Sequence, residues 1–227
     1  MRVHVAFTPA EAEHAPTAIV VDVVRATSTI VQALASGYRR VHCCAEVEEA
    51  LELRARLGKG VLAGERNAVE IPGFDLGNSP REFVDPLGET LILTTTNGTR
   101  AILVAAESAE TVLVGSLLNL AAVAAAAREG GDVEVVCAGL RGRFTIDDAY
   151  CAGRIAELVG GQRSDAAEAA VRLARSFPSA LDGIGASENP EHARLGEDIA
   201  FCARESVLDI VPRLATREGA AVEIVSS

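Results

Sequence analysis

LILTTTNGTRAIL, residues 91–103, is where the fold declares itself. Three apolar residues lead into Thr94, Thr95, Thr96, Asn97 and Gly98, and then apolar positions recur at helical spacing. An apolar run that ends in small hydrogen-bonding side chains at a helix start is a β-turn-α junction. Threonine or asparagine can cap the first turn, and glycine lets the backbone approach a neighbour closely. A helix N-terminus also presents unpaired N–H groups and a positive dipole end, so the same stretch is suited to hold an oxyanion. Repeated along a chain, such junctions build an α/β fold.

The junction does repeat. Short β-rich runs at 2–7, 18–23, 39–43, 61–64, 91–94, 111–114 and 133–137 alternate with helical patterns at 27–36, 47–57, 100–106, 117–128, 147–159 and 166–176. A further helix is expected at 198–205 and a last strand at 222–225. Alternation of this kind implies crossovers and a mainly parallel or mixed sheet covered on both faces, a three-layer α/β/α arrangement. Residues 1–227 are read as one domain, with room for a small C-terminal subdomain after about residue 160. Ligands of such sheets sit beyond the carboxyl ends of the strands. The polar clusters fall there: Asp22, Glu65 with Arg66, the threonine stretch, and 137–148.

Composition narrows the function. Apolar residues make up 49% of the 227, so a packed core is expected. The net charge of -11 and the lack of a basic stripe argue against nucleic acid as a partner. No long apolar run or hydrophobic leader is visible, which points to a soluble cytoplasmic protein with no membrane association. Five cysteines form no CxxC pair, and reduced thiols are expected. The large apolar fraction is compatible with a homodimer.

Three segments could carry chemistry. VVDVVRATSTI, residues 20–30, sets Asp22 at a strand end and Arg25 at a helix entrance, a carboxylate for a metal and a guanidinium for a phosphoryl oxygen. The motif is similar to the nucleophile of haloacid dehalogenase-type phosphatases, but Val24 stands where the second aspartate is needed. GERNAVEIPGFDLGNSPRE, residues 64–82, is a long loop too apolar for a free linker, in which Glu65, Arg66, Asp75, Asn78 and Ser79 could line a pocket. CAGLRGRFTIDDAYCAGRI, residues 137–155, has two readings. Cys137 and Arg143 have the Cys-x5-Arg spacing of cysteine phosphatases, whereas Asp147 and Asp148 in a helix's first turn could hold Mg2+ or complement the dipole.

In order, DVVRATSTI, GERN with IPGFDLGNSPRE, TTTNGTRA and CAG with DDAYCAG resemble the 2-phosphosulfolactate phosphatase family, and the likeness continues through HARLGEDIAFC, residues 192–202. The resemblance implies an α/β fold and Mg2+-dependent hydrolysis of 2-phospho-3-sulfolactate to 3-sulfolactate and phosphate, a step toward coenzyme M. It implies one site made from Asp22, Arg25, Glu65, Arg66, Asp147 and Asp148 as catalytic residues. Asn78, Ser79, Thr95, Thr96, Asn97 and Gly98 would bind the small, multiply anionic phosphate ester. Asp22, Glu65, Asp147 and Asp148 are the candidate Mg2+ ligands. Ala68 stands where a glycine is expected after GERN. Two other readings are a metal-free cysteine phosphatase built on Cys137 and Arg143, and a non-catalytic anion-binding protein.

Overall fold

The computed structural model describes residues 1–218 and 220–226. Its strands form one mixed sheet in two parallel blocks. The larger block holds β1 (Arg2–Ala6), β2 (Ala15–Val21), β7 (Ala109–Gly115), β8 (Val133–Cys137) and the short edge strand β9 (Gln162–Arg163), in the spatial order β7-β2-β8-β1-β9. The smaller block runs β4-β6-β3, from β4 (Val61–Arg66), β6 (Thr90–Thr94) and β3 (Arg40–Cys44). The two-residue β5 (Val69–Glu70) lies antiparallel on its edge. β2 and β8 are buried along nearly their whole length, as expected of central strands covered on both faces.

A C-terminal hairpin joins the blocks. β10 (Pro212–Glu218) pairs with β7, and β11 (Ala221–Ser226) pairs with β3. All three ladders across this bridge are antiparallel, so β3 and β7 run in opposite senses. A two-stranded ribbon twists strongly, and the register shift between Leu214 and Thr216 adds to it. The twist lets the blocks wrap around a shared layer of helices.

That layer consists of α1 (Ala26–Ser36), which follows β2, and α3 (Gly98–Ser108), which follows β6. Ile30, Val31, Ala101 and Ile102 from these helices share one core with Val20 and Val114 of the larger block and with Val41 and Leu93 of the smaller. Outside the larger block lie α4 (Leu120–Ala127), α5 (Ile146–Val159) and α6 (Asp165–Ser176). Outside the smaller lies α2 (Val47–Leu57), packing Ala50 and Leu53 on Leu62 and Ile92. Each block is therefore a three-layer α/β/α arrangement, and the middle helices serve both. The short α7 (Ala180–Gly185) and α8 (Gly196–Cys202) close the larger block's side.

Local signals account for several boundaries. The Glu49 carboxylate accepts the Ala45 and Glu46 N–H groups at the start of α2, and Gly58 ends that helix in the left-handed region. Ser164 caps α6 through the Ala167 N–H. Among the described residues no helix is long and apolar enough to cross a membrane.

Candidate active site

Because the blocks wrap around α1 and α3, the carboxyl ends of β2, β4, β6 and β8 meet at one cleft. β2 ends at Val21, so Asp22 is the first residue beyond it. Its Oδ1 accepts the Ala26 N–H at 3.2 Å, tying the carboxylate to the start of α1. Asp22 is only 9% exposed. Burial pushes its carboxyl up to about 7; the Ala26 N–H opposes the shift, Glu65 and Asp147 add to it, and Arg25 also opposes it. The Val24–Arg25 peptide is cis. The Arg25 guanidinium is buried and donates to Asp198 Oδ2 at 2.7 Å.

On the smaller block, Glu65 near the end of β4 accepts three hydrogen bonds. They come from the Thr96 N–H at 2.7 Å, the Thr96 hydroxyl at 3.0 Å and the Ala68 N–H at 2.7 Å. The threonine stretch after β6 divides its work. Thr95 and Thr99 cap α3 reciprocally, each backbone N–H reaching the other's hydroxyl at 3.1 Å. Thr96 holds Glu65, and Asn97 Oδ1 accepts the Arg141 N–H at 3.0 Å. Gly98 has no room for a side chain, since a Cβ there would lie 2.5 Å from Asp22 Oδ2 and from Ala26 Cβ. Its close approach is thus to a carboxylate of this chain, at the first turn of α3. Ala68 takes φ +59°, the left-handed region where glycine is at ease, which explains the expectation of glycine at that position.

On the larger block, Asp147 and Asp148 stand in the first turn of α5. Asp148 is held by the Val23 N–H at 2.8 Å and the Gly139 N–H at 2.9 Å. Burial raises its carboxyl well above the usual range, helped by Asp147 and Asp22. Asp147 is treated differently. Its Oδ1 is buried without a hydrogen-bond partner, and its Oδ2 lies 3.1 Å from His192 Nε2, out of hydrogen-bond alignment.

The GFDLGNSPRE loop crosses from β4 to the C-terminal segment. The Gly77 N–H donates to Glu82 at 2.9 Å, and a helical turn over 80–83 packs against α1 and α8. Asn78 is buried with Oδ1 unpartnered, and the Ser79 hydroxyl donates to Asp198 Oδ1 at 2.6 Å.

Asp22, Arg25, Glu65, Asn78, Asn97, Asp147 and Asp148 line one cavity, with about 30 Å3 open to water centres. Val24, Ala68, Gly139, Leu140, Thr145, Asn189, Glu191 and Leu195 complete the wall. Arg66, Ser79, Thr95, Thr96 and Gly98 are not in the lining. Arg66 is tied instead to the carbonyls of Glu65 and Ala45 and to the Thr94 hydroxyl. Two residues without an assigned role in the sequence reading, Asp198 and His192, brace Arg25 and approach Asp147. HARLGEDIAFC held both, but nothing in its spacing ties them to partners 173 and 45 positions away. Cys137 is buried at the end of β8 and outside the lining, with its thiol raised well above the ordinary value by burial and by Asp148. Arg143 is exposed and lies outside the lining too. A thiolate nucleophile cradled by that arginine has no support here.

Five acidic side chains, Asp22, Glu65, Asp147, Asp148 and Glu191, line the cavity, while its one arginine is already paired with Asp198. An anion meets net repulsion there unless a cation intervenes. Among the described residues no three histidine, cysteine or acidic side chains gather closely enough to hold a metal by themselves. Mg2+ does not require that, since it is commonly held by one or two carboxylates and keeps several waters. The unpartnered Asp147 Oδ1 and the all-oxygen donor set fit such an ion.

The family model described as 2-phosphosulpholactate phosphatase matches residues 5–217. A probable 2-phosphosulfolactate phosphatase of Caldanaerobacter subterraneus is 43% identical over 211 residues, 86% of each chain. The 2-phosphosulfolactate phosphatase of Methanothermobacter thermautotrophicus is 42% identical over 220 residues, covering 93% of this chain and 92% of its own. A probable one from Thermus thermophilus is 37% identical over 234 aligned positions, 98% of each. On the match of both its sequence and its length, this chain belongs to the 2-phosphosulfolactate phosphatase family.

Proposed function

We propose that the protein is a Mg2+-dependent phosphatase that hydrolyses 2-phospho-3-sulfolactate to 3-sulfolactate and inorganic phosphate. One observation supports the metal requirement: a small cavity walled by five acidic side chains, among which Asp147 keeps a buried oxygen unpartnered. Asp147 through Oδ1 and Asp22 through Oδ2 would hold the ion, because Glu65 and Asp148 have both oxygens engaged by donors of this chain. Bound there, Mg2+ supplies charge neutralisation, polarisation of the phosphoryl oxygens and an oriented water.

The remaining residues act on position and charge. Arg25, fixed by Asp198, whose other oxygen accepts from the Ser79 hydroxyl, offers its other N–H groups to a phosphoryl oxygen. Asn97, at the start of α3, lies where the helix dipole favours an anion. The narrow cavity excludes bulk water around the reacting group. The test is phosphate release from synthetic 2-phospho-3-sulfolactate before and after EDTA treatment. Turnover should vanish in chelator and return with Mg2+; full activity in chelator would contradict the reading.

A further inference from the structure

We propose that Arg143 holds a non-reacting anionic group of the substrate, in a pocket beside the phosphoryl site. The inference rests on the phosphatase reading above and adds a specificity-determining residue to it. With about 30 Å3 open to water centres, the deep cavity suits an ion, waters and one oxyanion, not a three-carbon ester with three anionic groups. A second pocket, with about 370 Å3 open to water centres, shares Leu140, Thr145 and Asn189 with the cavity, so the two adjoin. Arg143, Phe144 and Ser187 are among its other lining residues, and Glu188 is its one acid.

Of Arg25, Arg141 and Arg143, two are committed. Arg25 pairs with Asp198. Arg141 donates to Asn67 Oδ1 at 2.5 Å and lies 3.8 Å from Glu191. Among the described residues Arg143 has no carboxylate partner. Its backbone is nevertheless fixed. Leu140 and Arg143 exchange two backbone hydrogen bonds, of 2.9 and 3.0 Å, across a two-residue turn in which Arg141 and Gly142 both have positive φ. Gly139 packs so tightly beneath the turn that a Cβ there would lie 2.3 Å from the Arg143 carbonyl oxygen. On the other side Phe144 meets Phe7 edge-on at 5.3 Å. A rigid turn thus presents an uncompensated guanidinium to the pocket next to the phosphoryl site. Planar, multidentate capture of a carboxylate or sulfonate is what that group does best.

The experiment compares Arg143→Gln with the parent on three phosphate esters, in saturating Mg2+. They are 2-phospho-3-sulfolactate, 2-phospholactate, which lacks the sulfonate, and the phosphate ester of 2-hydroxyethanesulfonate, which lacks the carboxylate. The variant should raise KM for the full substrate at least ~10-fold with little change in kcat, the pattern of lost binding outside the reacting centre. For one of the two truncated esters the parent and variant should have equal KM, and that ester identifies the group Arg143 holds. Unchanged KM on the full substrate, or an equal penalty on all three esters, overturns the assignment. If the parent hydrolyses none of the three, the phosphatase reading itself fails and this assignment falls with it.

Discussion

Glu65 on the smaller block and Asp147 on the larger line the same cavity, yet the fold treats them in opposite ways. Glu65 accepts three hydrogen bonds from Thr96 and Ala68, so its charge is compensated before any ligand arrives. Asp147 keeps a buried oxygen unpartnered beside a histidine that does not align with it. Leaving a buried acceptor unsatisfied costs about 1–3 kcal/mol, more for a charged group, so such an atom in a native cleft points to a missing partner. Glu65 is therefore a finished acid of the smaller block, and Asp147 on the larger block is the acid with an open valence.

The sharpest way to break this contrast is to neutralise each acid in turn. Asp147→Asn should lower kcat/KM on the order of 10³-fold, the scale of several kcal/mol of lost metal-borne stabilisation. Glu65→Gln should instead lower stability by about 1–3 kcal/mol, with the larger part of its effect seen in denaturant unfolding rather than in turnover of the folded enzyme. Steady-state phosphate release measured beside urea melts separates the two, and the reverse pattern would exchange their roles.

Gly98 tests how tightly the two blocks are fitted. Gly98→Ala brings a methyl group to within 2.5 Å of Asp22 Oδ2 and Ala26 Cβ. Relief of that clash moves the carboxylate or the start of α3. Turnover should fall about 10²-fold, as for a small misplacement of reacting groups. Stability should fall by about 1–3 kcal/mol from overpacking. Normal kinetics in a folded variant would show that Asp22 need not stand where it does.

The larger block's acids also make a prediction about pH. The Asp22 carboxyl rises from its ordinary 3.8 to about 7, and Asp148 shifts in the same direction. The folded protein then holds protons that the unfolded chain releases, so this stability is fully present below about pH 4 and is lost as pH rises through about 7. In EDTA, Tm should decline between about pH 4 and 7, and Asp22→Asn should flatten the decline. An identical slope in the variant would mean that Asp22 is ionised without difficulty.

The smallest effect concerns the turn beside Glu65. Ala68 sits at φ +59°, a conformation that disfavours a Cβ by about 1–2 kcal/mol. Ala68→Gly should offset part of that by relieving the strain, less what glycine adds to the entropy of the unfolded chain. A net gain of up to ~1 kcal/mol in chemical unfolding is expected, and a loss would show that the alanine methyl contributes packing.

Much of this was legible in the sequence for physical reasons that also mark where legibility ended. The runs at 133–137 and 47–57 coincide with β8 and α2, since an unbroken apolar run and a helical period closed by glycine are strong local signals. The run at 212–218, PRLATRE, gave no strand signal, because arginines and threonine interrupt its apolar pattern and one of its two partners, β7, lies about a hundred residues away. That hairpin turns two parallel blocks into one wrapped sheet, so the overall wrap was not readable from local pattern. Four acids of the site stood out as polar residues at strand ends or helix starts. Asp198 and His192 did not, because their meaning lies in Arg25 and Asp147, which only the folded chain brings near. The threonine stretch was legible as a junction, but its hydrogen bonds to Glu65 and its fit against Asp22 required the three-dimensional partners.

If Mg2+ completes the site as proposed, this acid-walled cavity receives an anion only together with the divalent cation. Calorimetric titration of inorganic phosphate into the protein, in Mg2+ and in EDTA, tests it most directly. Mg2+ should tighten phosphate binding at least about 10-fold, and by linkage phosphate should tighten Mg2+ binding by the same factor. Equal phosphate affinity in Mg2+ and in chelator would contradict the account.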